Sequence, residues 1–222
     1  MKKIILFTLL ISGVLNAQEF TTDNKTITGV FEVKNKSKSE IFASINKWIA
    51  LSSQNSSEAI KMNDLDSGTI VMVGQYGVNF INETNAILYP IVEIKDNYVI
   101  YRFMTEINVR DNKFKITFKL TNIIDLFLDT YLDIYNIIPK DLFFQCYDFN
   151  TLDENSINKY NDLIDKYYTK ERGNNEKRKK EREQILSLSK PMFQNLLINT
   201  TTSFKNLMFL CEKSVVGDNS KW

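Results

Sequence analysis

The chain of 222 residues contains no histidine. That absence removes Ser-His-Asp and Cys-His nucleophile arrangements and every histidine-ligated metal site together. Cysteine is almost as scarce: Cys146 and Cys211 are the only two, and two distant cysteines cannot make a zinc site alone. Seven glycines and three prolines are few for the length. Neither Gly74 nor Gly77 is followed by the Gly-Lys-Ser/Thr run or the helix start that a phosphate loop requires. Dinucleotide-binding fingerprints, haem-attachment motifs, heptad runs and solenoid-period repeats are missing as well. Net charge is close to nil, 28 Lys+Arg against 27 Asp+Glu, so nothing in the overall field attracts nucleic acid or anionic lipid.

What is present begins with an address. In MKKIILFTLLISGVLNAQEF, Lys2 and Lys3 precede an apolar run from Ile4 to Leu15, and Ala17 closes a small-residue cleavage site before Gln18. This is the pattern of a secretory signal peptide over residues 1–17; a buried first helix and a membrane anchor are the alternatives. The run falls short of the ~20 apolar residues a spanning helix needs. No cysteine adjoins the junction, which argues against a lipid-anchored lipoprotein. Cleavage leaves 26 basic and 27 acidic residues, and no later run is long and apolar enough to span a membrane. The expected location is the periplasm or cell envelope. There a Cys146–Cys211 disulfide can persist, with two buried free thiols as the other possibility.

Hydrophobic periodicity then divides the chain. In TITGVFEV, Ile27, Gly29, Phe31 and Val33 share one face and Thr26, Thr28 and Glu32 the other, as in a half-buried strand. Ser37 and Glu40 form a capping box that starts a helix. Along it Ile41, Ile45, Trp48 and Ile49 recur at helical spacing opposite Ser39, Asn46 and Lys47. Trp48 could stack on a ligand, but its place on the stripe assigns it to the core, where truncation to alanine would cost about 3–5 kcal/mol. AIKMND, the DLDSG turn and TIVMVGQY read as a strand hairpin. NFINETN looks like a loop, and ILYPIVEIKDN is a further strand candidate in which Pro90 favours an edge or bulge. The clearest pattern is YVIYRFMTEINVRDNKFKITFKLTNI: a turn at Asp111 and Asn112 sets Val109 against Phe114, Ile107 against Ile116, Thr105 against Phe118 and Phe103 against Leu120.

The outward side of this hairpin carries Arg102, Arg110, Lys113, Lys115 and Lys119, with Glu106 among them. A solvated, edge-protecting face and a binding face for anionic groups both fit that composition. From Ile123 a helical stripe is expected through Ile124, Leu128, Tyr131, Tyr135 and Ile138, with Asp125, Asp129 and Asp133 stacked beside it until Pro139 interrupts. Stacked aspartates without a Gly-bearing calcium loop read as solvated rather than metal-binding. DLFFQCYDF is an apolar connector, Ser156 to Tyr168 is a helix, and the stretch from Glu176 to Lys213 is one or two helices with a stop or kink near Pro191. The cluster from Lys177 to Arg182 is interleaved with Glu176, Glu181 and Glu183, as on a solvated helix face.

FEVKNKSKSEIFASINKWIAL, AIKMNDLDSGTIVMVGQY and FKITFKLTNI together resemble an exported Bacteroidota family of unknown function (domain of unknown function 4468), described as having a TATA-binding-protein-like (TBP-like) fold. That family has a strand beginning F-x-V, here Phe31 and Val33, leading into a helix S-K-x-E-I-[FY], here Ser37 to Phe42, with a Trp near its end, here Trp48. An acidic turn D-x-x-x-G-x-I follows, here Asp64, Gly68 and Ile70, and then an antiparallel hairpin. The match runs from about Thr26 to Ile123. It departs from the family in an apparent insertion from Asn79 to Asn97 and in the length of the helical portion after Ile123. The resemblance implies an α+β fold: a curved antiparallel sheet with a helix packed on one face (TBP-like), followed by a C-terminal helical extension. The implied organisation is residues 1–17 signal peptide, 18–123 TBP-like domain, 124–215 helical region and 216–222 flexible tail. It brings no family active site, and fold likeness transfers no DNA binding.

With no catalytic constellation in view, the expected function is an exported non-catalytic binding or interaction module. Its partner would be an envelope protein or extracellular ligand, met through the sheet face carrying Arg102, Lys113, Lys115 and Lys119 or through the C-terminal helices. No cofactor, metal or nucleic acid is expected. The alternative is a carboxylate-type hydrolase of envelope or extracellular glycans, which needs two convergent acids with raised pKa in one cleft. A third possibility is an anionic polymer bound on the Lys113 to Lys119 face.

Overall fold

The hairpin turning at Asp111 and Asn112 is the centre of the molecule. β5 (Asn97–Arg110) and β6 (Lys113–Phe127) pair antiparallel with Val109 opposite Phe114, Ile107 opposite Ile116, Thr105 opposite Phe118 and Phe103 opposite Leu120. Any one-residue slip would turn this whole apolar set to solvent. β2 (Thr26–Glu32) and β1 (Glu19–Asp23) extend the sheet from β6, while β4 (Thr69–Phe80) and β3 (Ile60–Asp64) extend it from β5. The result is a six-stranded antiparallel sheet in the order β1-β2-β6-β5-β4-β3. The computed structural model describes residues 19–52, 59–80, 97–127, 138–170 and 175–217. The expected signal peptide, the strand candidate around Pro90, the positions from Leu128 to Tyr135 and the last five residues lie outside the described residues.

Four helices lie among the described residues: α1 (Lys38–Ser52), α2 (Lys140–Gln145), α3 (Glu154–Lys170) and α4 (Glu176–Val216). Every odd residue of β5 from Asn97 to Val109 is buried, whereas Arg102, Met104, Glu106 and Arg110 are exposed. The helices therefore lie on one face of the sheet. Across that face α4 carries Phe204, fully buried, with its ring centroid 5.2 Å from Phe118, 5.5 Å from Phe103 and 5.8 Å from Tyr76. Further along, Phe193 of α4 and Phe143 of α2 stand 4.9 Å apart, joined by Tyr160 of α3 and Phe80 of β4. The two aromatic groups belong to one continuous core. No helix of the described residues is long and apolar enough to cross a membrane.

The structure departs from the periodicity at several points. Residues Ile123 to Phe127 are strand, not the start of a helix. Two bulges explain the misleading pattern: Thr121 is the extra residue between the Phe103–Leu120 and Arg102–Asn122 pairs, and Ile124 between the Tyr101–Ile123 and Ile100–Asp125 pairs. Each bulge shifts the next inward residue by one, so Leu120, Ile123 and Leu126 point to the core at a spacing of three, which mimics a helix. Asp125 accordingly sits on a strand, where Lys140 pairs with it at 3.3 Å. β1 is not evident from the sequence, being short and directly after the expected signal peptide. α4 runs unbroken through Pro191, because Pro191 and Ser187, whose carbonyl loses its helical donor, are both on the solvent side.

Trp48 also needs correction. The buried stripe of α1 is Ile41, Phe42, Ile45 and Ile49, and Trp48 lies at its margin, half-buried against the core. Trp48→Ala is therefore expected to cost about 1–2 kcal/mol rather than the 3–5 of full burial. Denaturant unfolding checks this, and a loss as large as that of a core phenylalanine would contradict the placement. Cys146 and Cys211 are free buried thiols, so the disulfide possibility is not realised. The Cys146 thiol is turned to its own helix, donating to the Leu142 carbonyl at 3.3 Å. Burial, then the nearby Asp153 carboxylate, push it up to about 12; burial raises Cys211 further still.

Candidate binding face

The capping residues come first, because they anchor the hairpin that bears the candidate face. Glu40 reaches back to the Ser37 N–H at 2.8 Å and accepts from the Ser37 hydroxyl at 2.7 Å, which holds its carboxyl below its usual range. The return bond from Glu40 N–H to Ser37 Oγ is long, 3.4 Å. A better acceptor comes from the β5–β6 turn: Asp111 takes the Lys38 N–H at 2.7 Å, and Asn112 accepts from the Lys36 and Val33 N–H groups through its side chain and carbonyl. One turn therefore closes the central hairpin and caps α1. Gly68 closes the neighbouring β3–β4 turn at φ +73, donating to the Leu65 carbonyl while its own carbonyl accepts from Val109.

These turns fix one end of the helix-free side of the sheet. A shallow depression of about 500 Å³ opens there, lined by Glu19, Ser67, Glu106, Asn108, Arg110, Lys113 and Lys115 among others. Asn108 donates to Glu106 at 2.7 Å and accepts from Thr69 at 3.4 Å, so the floor is held by a short hydrogen-bonded chain. Lys115 lies between Val30 of β2 and Asn108 of β5; Lys113 lies between Glu32 and Arg110. Of the basic residues singled out from sequence, the structure gathers Lys113 and Lys115 here, with Arg110. Lys119 lies farther along β6 between Thr26 and Met104, and Arg102 opposite Asn122 and Gln75, both outside the depression. Glu19 and Ser67 were missed, Glu19 because β1 was missed.

The face is mixed in charge rather than basic. Glu32 adjoins Lys113, and the two carboxylates of the depression flank its three cations. Such a site offers ion pairing to an anionic group and acceptors to a donor at once. Glu19 and Glu106 are three strand steps apart and offset by two residues along the strands, roughly 16 Å at the backbone, with Lys115 on the strand between. The other half of the face is less polar: Met62, Val71, Val73 and Met104 stand on adjoining positions of β3, β4 and β5.

A second group of ionisable side chains sits at the opposite end of the sheet. Lys25, in the β1–β2 turn, donates to the Phe144 and Tyr147 carbonyls, and its ammonium lies 4.2 and 4.8 Å from the centroids of their rings. Burial lowers its pKa from 10.5 to about 8 against the opposing pull of Asp148. Nearby, the buried Tyr101 hydroxyl meets Tyr147 and, at 3.1 Å, Thr200, which satisfies polar groups that the core would otherwise strand. Lys25 thus pins the segment after α2 to the sheet. Its folded-state pKa lies below the unfolded one, so between about pH 8 and 10.5 the unfolded chain holds a proton that the folded chain has released, and Lys25 makes stability rise with pH there. A 13Cε titration should place its midpoint near 8; a midpoint shared with the exposed lysines would refute the buried placement.

Fold and face define an α+β protein whose open antiparallel sheet is covered, among the described residues, by helices on one side. Residues 28–123 match the family described as "Domain of unknown function (DUF4468) with TBP-like fold". Among solved structures it is similar to a TBP-like protein from Parabacteroides distasonis, at 23% identity over 44% of this chain and 54% of that chain, with a TM-score of 0.32. It is also similar to a DUF4468 family protein from Bacteroides ovatus, at 11% identity over 94% of this chain and 95% of that one, with a TM-score of 0.40. The chain spans about half the length of the Parabacteroides protein. No curated protein matches it.

Proposed function

We propose that the protein is an exported, non-catalytic binding module of the periplasm or cell envelope, and that it meets an envelope protein or extracellular ligand at the helix-free face of its sheet. The observation that carries this is the depression beside the central turn, with Arg110, Lys113 and Lys115 set among Glu19 and Glu106 on a floor ordered by Asn108. The C-terminal helices support binding less well: among the described residues their exposed large apolar side chains Ile198, Leu210 and Val216 are spread along α4, twelve and six positions apart, about 18 and 9 Å. The carboxylate hydrolase is less favoured because Glu19 and Glu106 start so far apart. The signal-peptide pattern supports export, and N-terminal sequencing of the mature protein should begin at Gln18; an intact Met1 would remove that part of the proposal.

Affinity capture from an envelope fraction on the immobilised mature chain, compared with Lys115→Glu and Arg110→Glu variants, tests the face. Capture of a component that both reversals abolish supports the proposal. Capture that survives both reversals, or none at all, counts against it.

A further inference from the structure

At the turn end of the helix-free face the nearest acids are engaged by the fold and the cations are not. Asp111 accepts from the Lys38 N–H at 2.7 Å, Asp64 from the Asp66 N–H at 2.9 Å and Glu106 from Asn108 at 2.7 Å. Among the described residues the side chains of Arg110, Lys113 and Lys115 make no hydrogen bond, ion pair or ring contact. Arg110 and Lys113 are moreover directly opposite in the β5–β6 register, both exposed, with Cβ atoms about 5 Å apart. Like charges so placed repel. Lys115 follows Lys113 on the same face, about 7 Å along β6, so three cations share one corner of the depression. Glu32, opposite Lys113 on β2, forms no ion pair with it. A single exposed lysine is commonly unpaired, whereas an opposed pair with a third cation beside it is a standing repulsion that a bound anion removes.

The remaining acids limit the size of that anion. Glu19 is two strand steps from Lys115, about 10 Å, and Glu106 is four residues along β5 from Arg110, about 14 Å. An anionic polymer laid across the face would be repelled by one or the other; a single anionic group in the corner meets neither, and both can accept from donors elsewhere on the same ligand. The depression, about 500 Å³, has the volume of a small-molecule site. Phe114, among its lining residues, is buried in the core and offers no ring on which a base could stack.

We propose that Arg110, Lys113 and Lys115 bind a compact oxyanion, the phosphate or carboxylate group of a small polar ligand. This rests on the binding-face reading above and gives the chemistry of its ligand. The Arg110 guanidinium supplies a two-pronged contact to the oxyanion, and the two lysines supply point charges. Lys119, outside the depression, takes no part.

The test is NMR of the mature chain titrated with sodium phosphate and, separately, sodium acetate, at ionic strength held constant with chloride. Saturable shifts of the Arg110 side-chain N–H and of the Lys113 and Lys115 amides are expected with at least one anion, and the tighter of the two identifies the group. Affinity should fall roughly tenfold or more in Arg110→Glu and in Lys115→Glu. Lys119→Glu, the same change of charge outside the depression, should leave it within about twofold. Arg110→Glu sets opposite charges across the hairpin and should melt no lower than the parent; if it unfolds, Lys115→Glu carries the test. Shifts that fail to saturate with either anion, or equal weakening by Lys119→Glu, overturn the proposal. Envelope capture that both reversals abolish but that neither phosphate nor acetate diminishes also overturns it, and leaves the binding face itself standing.

Discussion

Phe204→Ala should lower stability by about 4–5 kcal/mol, the upper part of the range for removing a buried phenylalanine, and the melting temperature by roughly 10–20 °C. Phe204 is fully buried, and its ring meets five others: Tyr76 of β4, Tyr101 and Phe103 of β5, Phe118 of β6 and Phe149 of the segment after α2. Partners on three strands and a loop cannot all move into the space, so most of the void persists and its cost adds to the lost burial. Leu210, exposed on the same helix, provides the control: Leu210→Ala should change stability by under about 0.5 kcal/mol. Differential scanning calorimetry of both variants decides it. Similar small losses would mean that α4 does not seal the sheet.

Gly68→Ala is the second large effect, expected at about 3 kcal/mol. At φ +73 any side chain meets left-handed strain of about 1–2 kcal/mol. Here the added carbon would also stand 2.3 Å from the Val109 carbonyl oxygen, a backbone atom that cannot yield without disturbing the β4–β5 ladder. Gly217, at φ +81 past the end of α4, separates the two causes, since its nearest neighbour would be the Lys36 amine at 4.0 Å. Gly217→Ala should show the strain alone, about 1 kcal/mol. Equal losses at the two glycines in urea unfolding would refute the close approach at Gly68.

The central strands were legible because each has one buried and one exposed face, so alternation and the Asp111–Asn112 turn sufficed to set their register. Helices α1 and α3 were legible for the corresponding reason, a stripe of apolar residues at helical spacing. The pattern failed where the ladder is irregular. At Thr121 and Ile124 bulges change the inward period from two to three, and no composition signal separates that from a helical turn. Trp48 illustrates a different limit: spacing places it within the stripe, but only the sheet's position shows that Phe42 is enclosed while Trp48 packs at the margin of the core. The basic residues of β6 were visible as a row. Their neighbours were not, because Glu19 reaches the depression through two successive pairings, Glu19 with Val30 and Val30 with Lys115, the second across about 85 residues of sequence, and these turn a basic row into a mixed-charge site.

Native-state amide exchange is the most direct measurement of the account's central claim, that the C-terminal helix and the six-stranded sheet share one core. The account predicts that amides of α4 from Phe193 to Cys211 and of β5 from Phe103 to Val109 exchange with the same free energy of opening, and that Phe204→Ala lowers both together. Exchange of α4 at a distinctly lower free energy, with β5 unaffected by Phe204→Ala, would contradict it.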